Sequence, residues 1–248
     1  MFHLRALGGL WLEDGAGSPV ELRSRWLALL AMVAAGERGG ASRDHTLGIL
    51  WPELDQSRAS HALSQVLYSV RRVVGADLIA ATARVLRLDA SIIRSDIDQF
   101  QAAVGDRADA DVVRLYRGTF LSGFYLENAP EFERWTAETR TRLARDAETA
   151  IERHAEHCDR TGQTSDSRAA WRRLSEFDPL NSRFAYEYVL ALAKSGDRGG
   201  AVRHGQSHVA LLMEELGSAP PTRLTDLLAR LQGGSFVSTR HDNSSATH

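Results

Sequence analysis

The chain has 248 residues, 43% of them hydrophobic and 25% charged, with a net charge of −2. Such a composition is that of an ordinary globular protein long enough for two cores, and it excludes wholesale disorder. No run approaches the roughly eighteen apolar residues of a membrane span, the opening MFHLRALGGLWLEDG has no signal-peptide apolar region, and the single cysteine, Cys158, forbids an internal disulfide. A cytoplasmic protein with no membrane partner is expected. Asn243-Ser244-Ser245 matches a glycosylation sequon, which has no meaning without secretion.

Net charge becomes informative when split. Residues 1–95 hold 11 Arg against 9 Asp and Glu, a balance of +2, whereas residues 96–248 hold 19 Lys and Arg against 23 Asp and Glu, a balance of −4. Within residues 56–95, six arginines (58, 71, 72, 84, 87 and 94) face only Asp77 and Asp89. The lean is modest, so any affinity for nucleic acid must depend on geometry as well as bulk attraction.

In chain order, Phe2 to Leu7 alternates, Leu10 to Leu12 is short and apolar, and Val20 to Leu22 follows the turn DGAGSP. These predict three short strands. Arg25 to Ala35 then predicts a helix buried on most sides, ended by Gly36 and the pair Gly39-Gly40. Ser42 can cap a second helix, Arg43 to Leu50, halted at Trp51-Pro52 because proline disfavours helical geometry in the residue before it.

The stretch from Asp55 to Gly75 predicts one helix with two different faces. Ala59, Ala62, Leu63, Val66, Leu67, Val70, Val73 and Val74 recur at three- and four-residue steps and form a stripe for a core. Around them lie Arg58, Ser60, His61, Ser64, Gln65, Tyr68, Arg71 and Arg72, with no acidic residue after Asp55, itself an N-cap candidate. Hydrogen-bonding tips and positive charge on one helix suit base edges and phosphates in a major groove. A helix kept only for solubility would more often mix signs, and a solvated basic face is the competing reading. After Gly75, DLIAA and RVLRLD predict a hairpin around Ala81 to Ala83, on which Arg84 can reach a phosphate or the minor groove. Helix, helix, polar helix and hairpin make a winged helix-turn-helix with double-stranded DNA as its expected partner.

The order of elements resembles the OmpR-like winged helix at the start of bacterial SARP-type activators. The likeness rests on Phe2-His3-Leu4 with Leu7-Gly8, the Arg25 to Ala31 helix, Ser42-Arg43-Asp44 with Leu47, Leu50-Trp51-Pro52, the Leu63 to Arg72 helix, and Asp96 to Phe100. Two departures are the missing Gly-Tyr pair around Ala81 to Leu88 and Val70 where the family has Leu.

The remainder predicts helices throughout. Asp98 to Val104 opens it, Val112 to Tyr116 leads to a turn-rich segment, and Phe132, Trp135, Thr139, Leu143, Ala147, Ile151 and His154 mark one face of a long helix. Gly162 and Gly196 stand 34 residues apart, and Cys158 with Leu192, His154 with Tyr188 and Ile151 with Ala185 share that offset. It is the tetratricopeptide period, at which helix pairs stack because one pair cannot bury its own apolar face. Asp178-Pro179 and the break from Gly217 to Pro221 are the expected junctions, before a last helix from Thr222 to Leu231.

This half resembles the bacterial transcriptional activation domain of SARP-type regulators through Leu115-Tyr116-Arg117-Gly118, Phe132 with Trp135, Arg172-Arg173-Leu174, Asp178-Pro179-Leu180, Gly196-Asp197 and Glu215-Leu216-Gly217. The expected architecture is mainly α. A winged-helix domain over residues 1–95 is followed by a tetratricopeptide-like domain over 96–232 and a disordered tail over 233–248. The resemblance implies an activator that binds direct repeats in promoters, self-associates on DNA and contacts RNA polymerase. The alternative is a helical-repeat interaction scaffold whose winged helix no longer binds DNA.

Catalysis has little support, since there is no GxSxG elbow, phosphate-binding glycine loop, HExxH or CxxC pair, and no cofactor is expected. His154-x-x-His157-Cys158 and His204-xxx-His208 have ligand-like spacing, but no set of carboxylates or thiolates surrounds them, and packing or solvent-facing histidine is the expected role. Tyr116, Phe124, Trp135, Trp171 and Tyr186 can line a groove, although aromatics in helical repeats are more often core.

Overall fold

The computed structural model describes residues 1–36 and 40–233. Gly39 of the expected helix stop, the sequon at Asn243 and the tail from residue 234 lie outside the described residues. The chain divides into two compact units, Met1–Ala150 and a second beginning at Ile151.

The first unit opens with β1 (Phe2–Arg5), β2 (Trp11–Glu13) and β3 (Pro19–Val20). They form a sheet of order β3-β2-β1-β7, in which β7 (Ile93–Ser95) lies parallel to β1 with Phe2 opposite Ile93. Next come α1 (Ser24–Ala34), β4 (Ala41–Ser42), α2 (Arg43–Leu50) and α3 (Gln56–Val74). The hairpin β5 (Ile79–Ala81) and β6 (Val85–Leu88) is antiparallel, with Ile79 opposite Leu88. As expected from the sequence, Ser42 caps α2 by accepting from the His45 amide at 3.4 Å, and Asp55 caps α3 by accepting from the Arg58 amide at 2.9 Å. One core joins these helices. It comprises Ala28 to Ala34 of α1, Leu47 and Leu50 of α2, Ala59, Leu63 and Val70 of α3, and Leu86 of the hairpin.

The structure adds two strands to the expected set and alters one assignment on α3. Ala41 pairs with Leu86 and Ser42 with Val85, so β4 ties the start of α2 into the hairpin sheet. Val73, expected in the apolar stripe, is 53% exposed because the last turn of α3 runs past the core that Val70 closes.

In the same unit, α4 (Asp96–Gly105) and α5 (Asp109–Leu115) follow β7, and α6 (Pro130–Thr161) begins there. The helix expected from Asp98 begins at Asp96 because Ser95 caps it, accepting from the Ile97 amide at 3.2 Å. Asp96 is itself buried, and its carboxylate accepts from the amides of Ala6 at 2.9 Å and Leu7 at 3.1 Å. Leu121 donates back to the Ala6 carbonyl at 2.8 Å, while Arg140 donates to the carbonyls of Phe120 and Leu121 at 2.7 Å each. Asp96 and Leu121 are thus hydrogen-bonded to the backbone just after β1, and Arg140 holds the Phe120–Leu121 segment in turn.

The second unit contains the end of α6, then α7 (Thr164–Phe177), α8 (Ser182–Lys194), α9 (Arg198–Leu216) and α10 (Thr222–Gln232). Gly162 and Gly196, the residues that set the 34-residue offset, have φ of +74° and +86° and stand two residues before α7 and α9. Left-handed geometry at matching positions is what glycine supplies at a repeated turn. Burial repeats too, since Ile151 and Ala185, and Cys158 and Leu192, are buried, while His154 and Tyr188 are half-buried. Val189, Leu192, Ala201, Leu224, Leu228 and Leu231 close the core of α8, α9 and α10. Among the described residues, no helix is long and apolar enough to cross a membrane.

Candidate nucleic-acid interface

The α3 surface carries the residues singled out from the sequence, and its periodicity sorts them. Arg58, His61, Gln65, Tyr68 and Arg72 follow one another at steps of three and four and are all exposed, which puts them on a single outward stripe. Ser60, Ser64 and Arg71 lie on its flank, with Ser60 half-buried. The Ser64 hydroxyl donates to the Ser60 carbonyl at 2.9 Å, so its proton is committed within the helix and its oxygen is left as an acceptor. Tyr68 is 60% exposed, much for an aromatic ring without a partner to cover it.

The hairpin presents Arg84 at its turn. The Thr82 hydroxyl accepts from the Val85 amide at 3.0 Å, and the Thr82 amide donates to the Val85 carbonyl at 2.9 Å, which tightens the turn that carries Arg84. The Arg84 carbonyl accepts from the Arg43 amide at 2.9 Å. The turn and the start of α2 are thereby held together, and Arg84 shares one frame with α3 through the common core.

Two arginines are less free than the sequence suggests. Arg58 Nε lies 3.4 Å from Asp55, and Arg71 Nη1 lies 3.2 Å from Asp77. The second pair forms because the Gly75 turn swings the chain back past the end of α3, bringing Asp77 to the flank that Arg71 occupies. A reading by helical periodicity stops at Gly75 and misses it. The detectable signal is an acid placed just beyond the C-cap of a helix that ends in arginine.

Of the other histidines and aromatics singled out from the sequence, all but the exposed His157 take part in packing. His208 is buried, with Nδ1 3.0 Å from the Pro179 carbonyl and Nε2 3.0 Å from Ser182 Oγ; His204 Nε2 lies 2.9 Å from Ser175 Oγ. Burial pushes the imidazole of His208 below its ordinary pKa, and burial followed by repulsion from His208 does the same for His204. His154 approaches Cys158 at 3.6 Å, while His157 is exposed. No group of three metal-ligating side chains occurs among the described residues. The aromatics fall into separate clusters, with Tyr116 against Phe100, Trp135 against Phe120 and Phe132, Phe124 against Phe132, Trp171 against Phe184, and Tyr186 beneath Arg223.

Residues 83–232 match the family model described as the bacterial transcriptional activator domain. The chain belongs to that family. Membership agrees with the resemblance to SARP-type regulators and places the chain among transcriptional regulators. The bacterial transcriptional activator domain match begins within the hairpin turn and runs to the end of α10, so it covers helices in both units. No curated protein matches the sequence. Among solved structures, Mycobacterium tuberculosis EmbR in complex with a low affinity phosphopeptide is similar, with a TM-score of 0.61, 21% identity and 95% of this chain covered. At that identity the likeness concerns the fold. This chain spans 66% of the length of the EmbR chain.

Proposed function

We propose that the protein is a cytoplasmic, sequence-specific DNA-binding activator that inserts α3 into the major groove of double-stranded DNA. The observation that carries this reading is the outward stripe of Arg58, His61, Gln65, Tyr68 and Arg72, on a helix capped at its start and braced by the hairpin of Arg84. These side chains supply cationic, amide, imidazole and phenolic tips at one-turn spacing, the chemistry needed for base edges flanked by phosphates. Ser60 and Ser64 sit beside the stripe as short polar groups, and Arg72 and, once released from Asp77, Arg71 supply phosphate contact from its C-terminal end.

The helical repeats supply protein contacts, including RNA polymerase and a second copy of the chain on adjacent direct repeats. Net negative charge over residues 96–248 suits them poorly to phosphate and well to protein partners. Two copies on neighbouring half-sites gain occupancy from contact between their protein parts.

Gel shifts of the purified chain against its own upstream region, at two salt concentrations, test the DNA reading. A folded Arg71→Ala/Arg72→Ala variant should bind at least about tenfold more weakly, with a flatter salt dependence. Unchanged affinity would move the protein toward the scaffold reading, which the two arginine–aspartate pairs on α3 favour.

A further inference from the structure

The two carboxylates beside α3 stand where they oppose the affinity that its arginines supply. We infer that Asp77, with Asp55, is a specificity determinant, holding Arg71 and Arg58 away from phosphates so that DNA is retained only where the bases reward the fit. The inference rests on the reading of α3 as the DNA-contacting helix and deepens it.

Three observations support it. First, α3 extends beyond what a groove can take at the level of bases. Arg58 and Arg72 are fourteen residues apart, or about 21 Å along the axis, and a helix seated in the major groove reaches base edges with only part of its length. The middle of the stripe, His61, Gln65 and Tyr68, would face base edges, and the two ends would face the backbones. Second, each end has an acid. Asp55 pairs with Arg58 at one end at 3.4 Å, and Asp77 pairs with Arg71 near the other at 3.2 Å. Third, all four side chains are well exposed, at 77% and 61% for Arg58 and Asp55 and 64% and 63% for Arg71 and Asp77. Exposed pairs add little to folding, so their effect falls mainly on what approaches from solvent.

A phosphate arriving at Arg71 must displace Asp77 or sit beside its charge. On a random sequence nothing compensates for that. On a matching sequence, the central stripe does. At a wrong site, phosphate contact by the end arginines is most of the binding. At a right site the central stripe holds the helix and Arg71 can remain on Asp77, so the penalty falls mainly on wrong sites and raises the ratio between right and wrong. Arg72 has no carboxylate partner among the described residues and remains the free guanidinium on the stripe.

The test uses the whole chain and two probes: a random-sequence 30-mer duplex pool, and the pool the wild-type protein enriches from it. Asp77→Asn should bind the unselected pool about three- to tenfold more tightly, with a salt slope steeper by about one. The preference for the enriched pool should fall by a similar factor. Asp55→Asn should act the same way, since asparagine keeps the N-cap of α3; a melting curve for each variant shows that the fold is retained. In an Arg71→Gln background the Asp77→Asn gain should vanish. The inference is overturned if Asp77→Asn leaves the unselected pool unchanged, raises both affinities equally, or gives the same gain without Arg71. A wild-type chain that binds no pool refutes the DNA reading itself, a result distinct from any of these.

Discussion

Helices α3 and α9 are built to the same plan and put their polar residues to opposite uses. Each has 19 residues, an aspartate at the N-cap and a left-handed glycine at the end, Asp55 and Gly75 in one and Asp197 and Gly217 in the other. On α3, His61, Gln65, Tyr68 and Arg72 face outward. On α9, His204 and His208 turn inward, holding Ser175, the Pro179 carbonyl and Ser182. The caps fix where a helix starts and stops. Which face the polar residues occupy relative to the apolar ones decides whether they serve the fold or a partner.

The repeat unit should fail first when its interior is opened. Trp171 is 2% exposed, stacks near Phe184, and donates its indole N–H to Asp159 at 2.7 Å. Trp171→Ala should cost about 3–5 kcal/mol, read as a lower denaturation midpoint of the repeat helices. His208→Ala should cost about 2–3 kcal/mol, because it leaves a cavity where a buried ring stood and removes its hydrogen bonds to the Pro179 carbonyl and Ser182 Oγ. His61→Ala on α3 should leave stability within about 0.5 kcal/mol of wild type and change DNA binding instead. Equal losses of stability from the two histidine variants would erase the distinction between the helices.

Acid should act on the same contrast with a smaller effect. In the neutral ring, His208 Nδ1 donates to Pro179 and Nε2 accepts from Ser182, and burial disfavours the charged form. The folded pKa lies below the unfolded one, so the unfolded chain takes up the proton first as pH falls. Stability is full above the ordinary histidine range, near pH 6.5, and declines as pH drops through it toward the lowered folded values. Thermal melts between pH 7.5 and 5.5 should show this decline. His208→Gln should flatten the curve, and a curve equally steep without His208 would assign the acid sensitivity elsewhere.

Local signals made much of this legible. Ser42, Trp51-Pro52, Asp55 and Gly75 mark the helix-turn-helix within a few residues of the ends observed, and Gly162 with Gly196 mark the repeat. What escaped is long-range. Strand β4 has two residues and β7 three, too short for an alternating pattern, and each exists because of a partner distant in sequence, Leu86 for Ala41 and Phe2 for Ile93. The Asp96 carboxylate on the Ala6 and Leu7 amides is another such tie. On α3 the candidate residues were legible as a set. Their sorting into a stripe and a flank follows from the 3.6-residue period, but the commitment of the Ser64 proton and the pairing of Arg71 with Asp77 required coordinates.

The smallest expected effect on affinity is the most informative about α3. Gln65 is exposed at the centre of the stripe, with Arg58 and Arg72 on either side at seven-residue distance. Its amide offers a donor and an acceptor together, which matches the N6 and N7 edge of adenine, and no charge is lost when it is replaced. Gln65→Ala should therefore change total affinity for mixed-sequence DNA by less than about threefold and leave the salt slope intact. The sequence enriched from a random pool should lose its preference at one base pair, by about 1–3 kcal/mol. Replacing that adenine with 7-deazaadenine, which lacks the N7 acceptor, should reproduce the loss for the wild-type chain and have no effect on the variant. If Gln65→Ala instead weakens all sequences alike, the centre of the stripe faces the backbone, and the helix lies across the groove rather than in it.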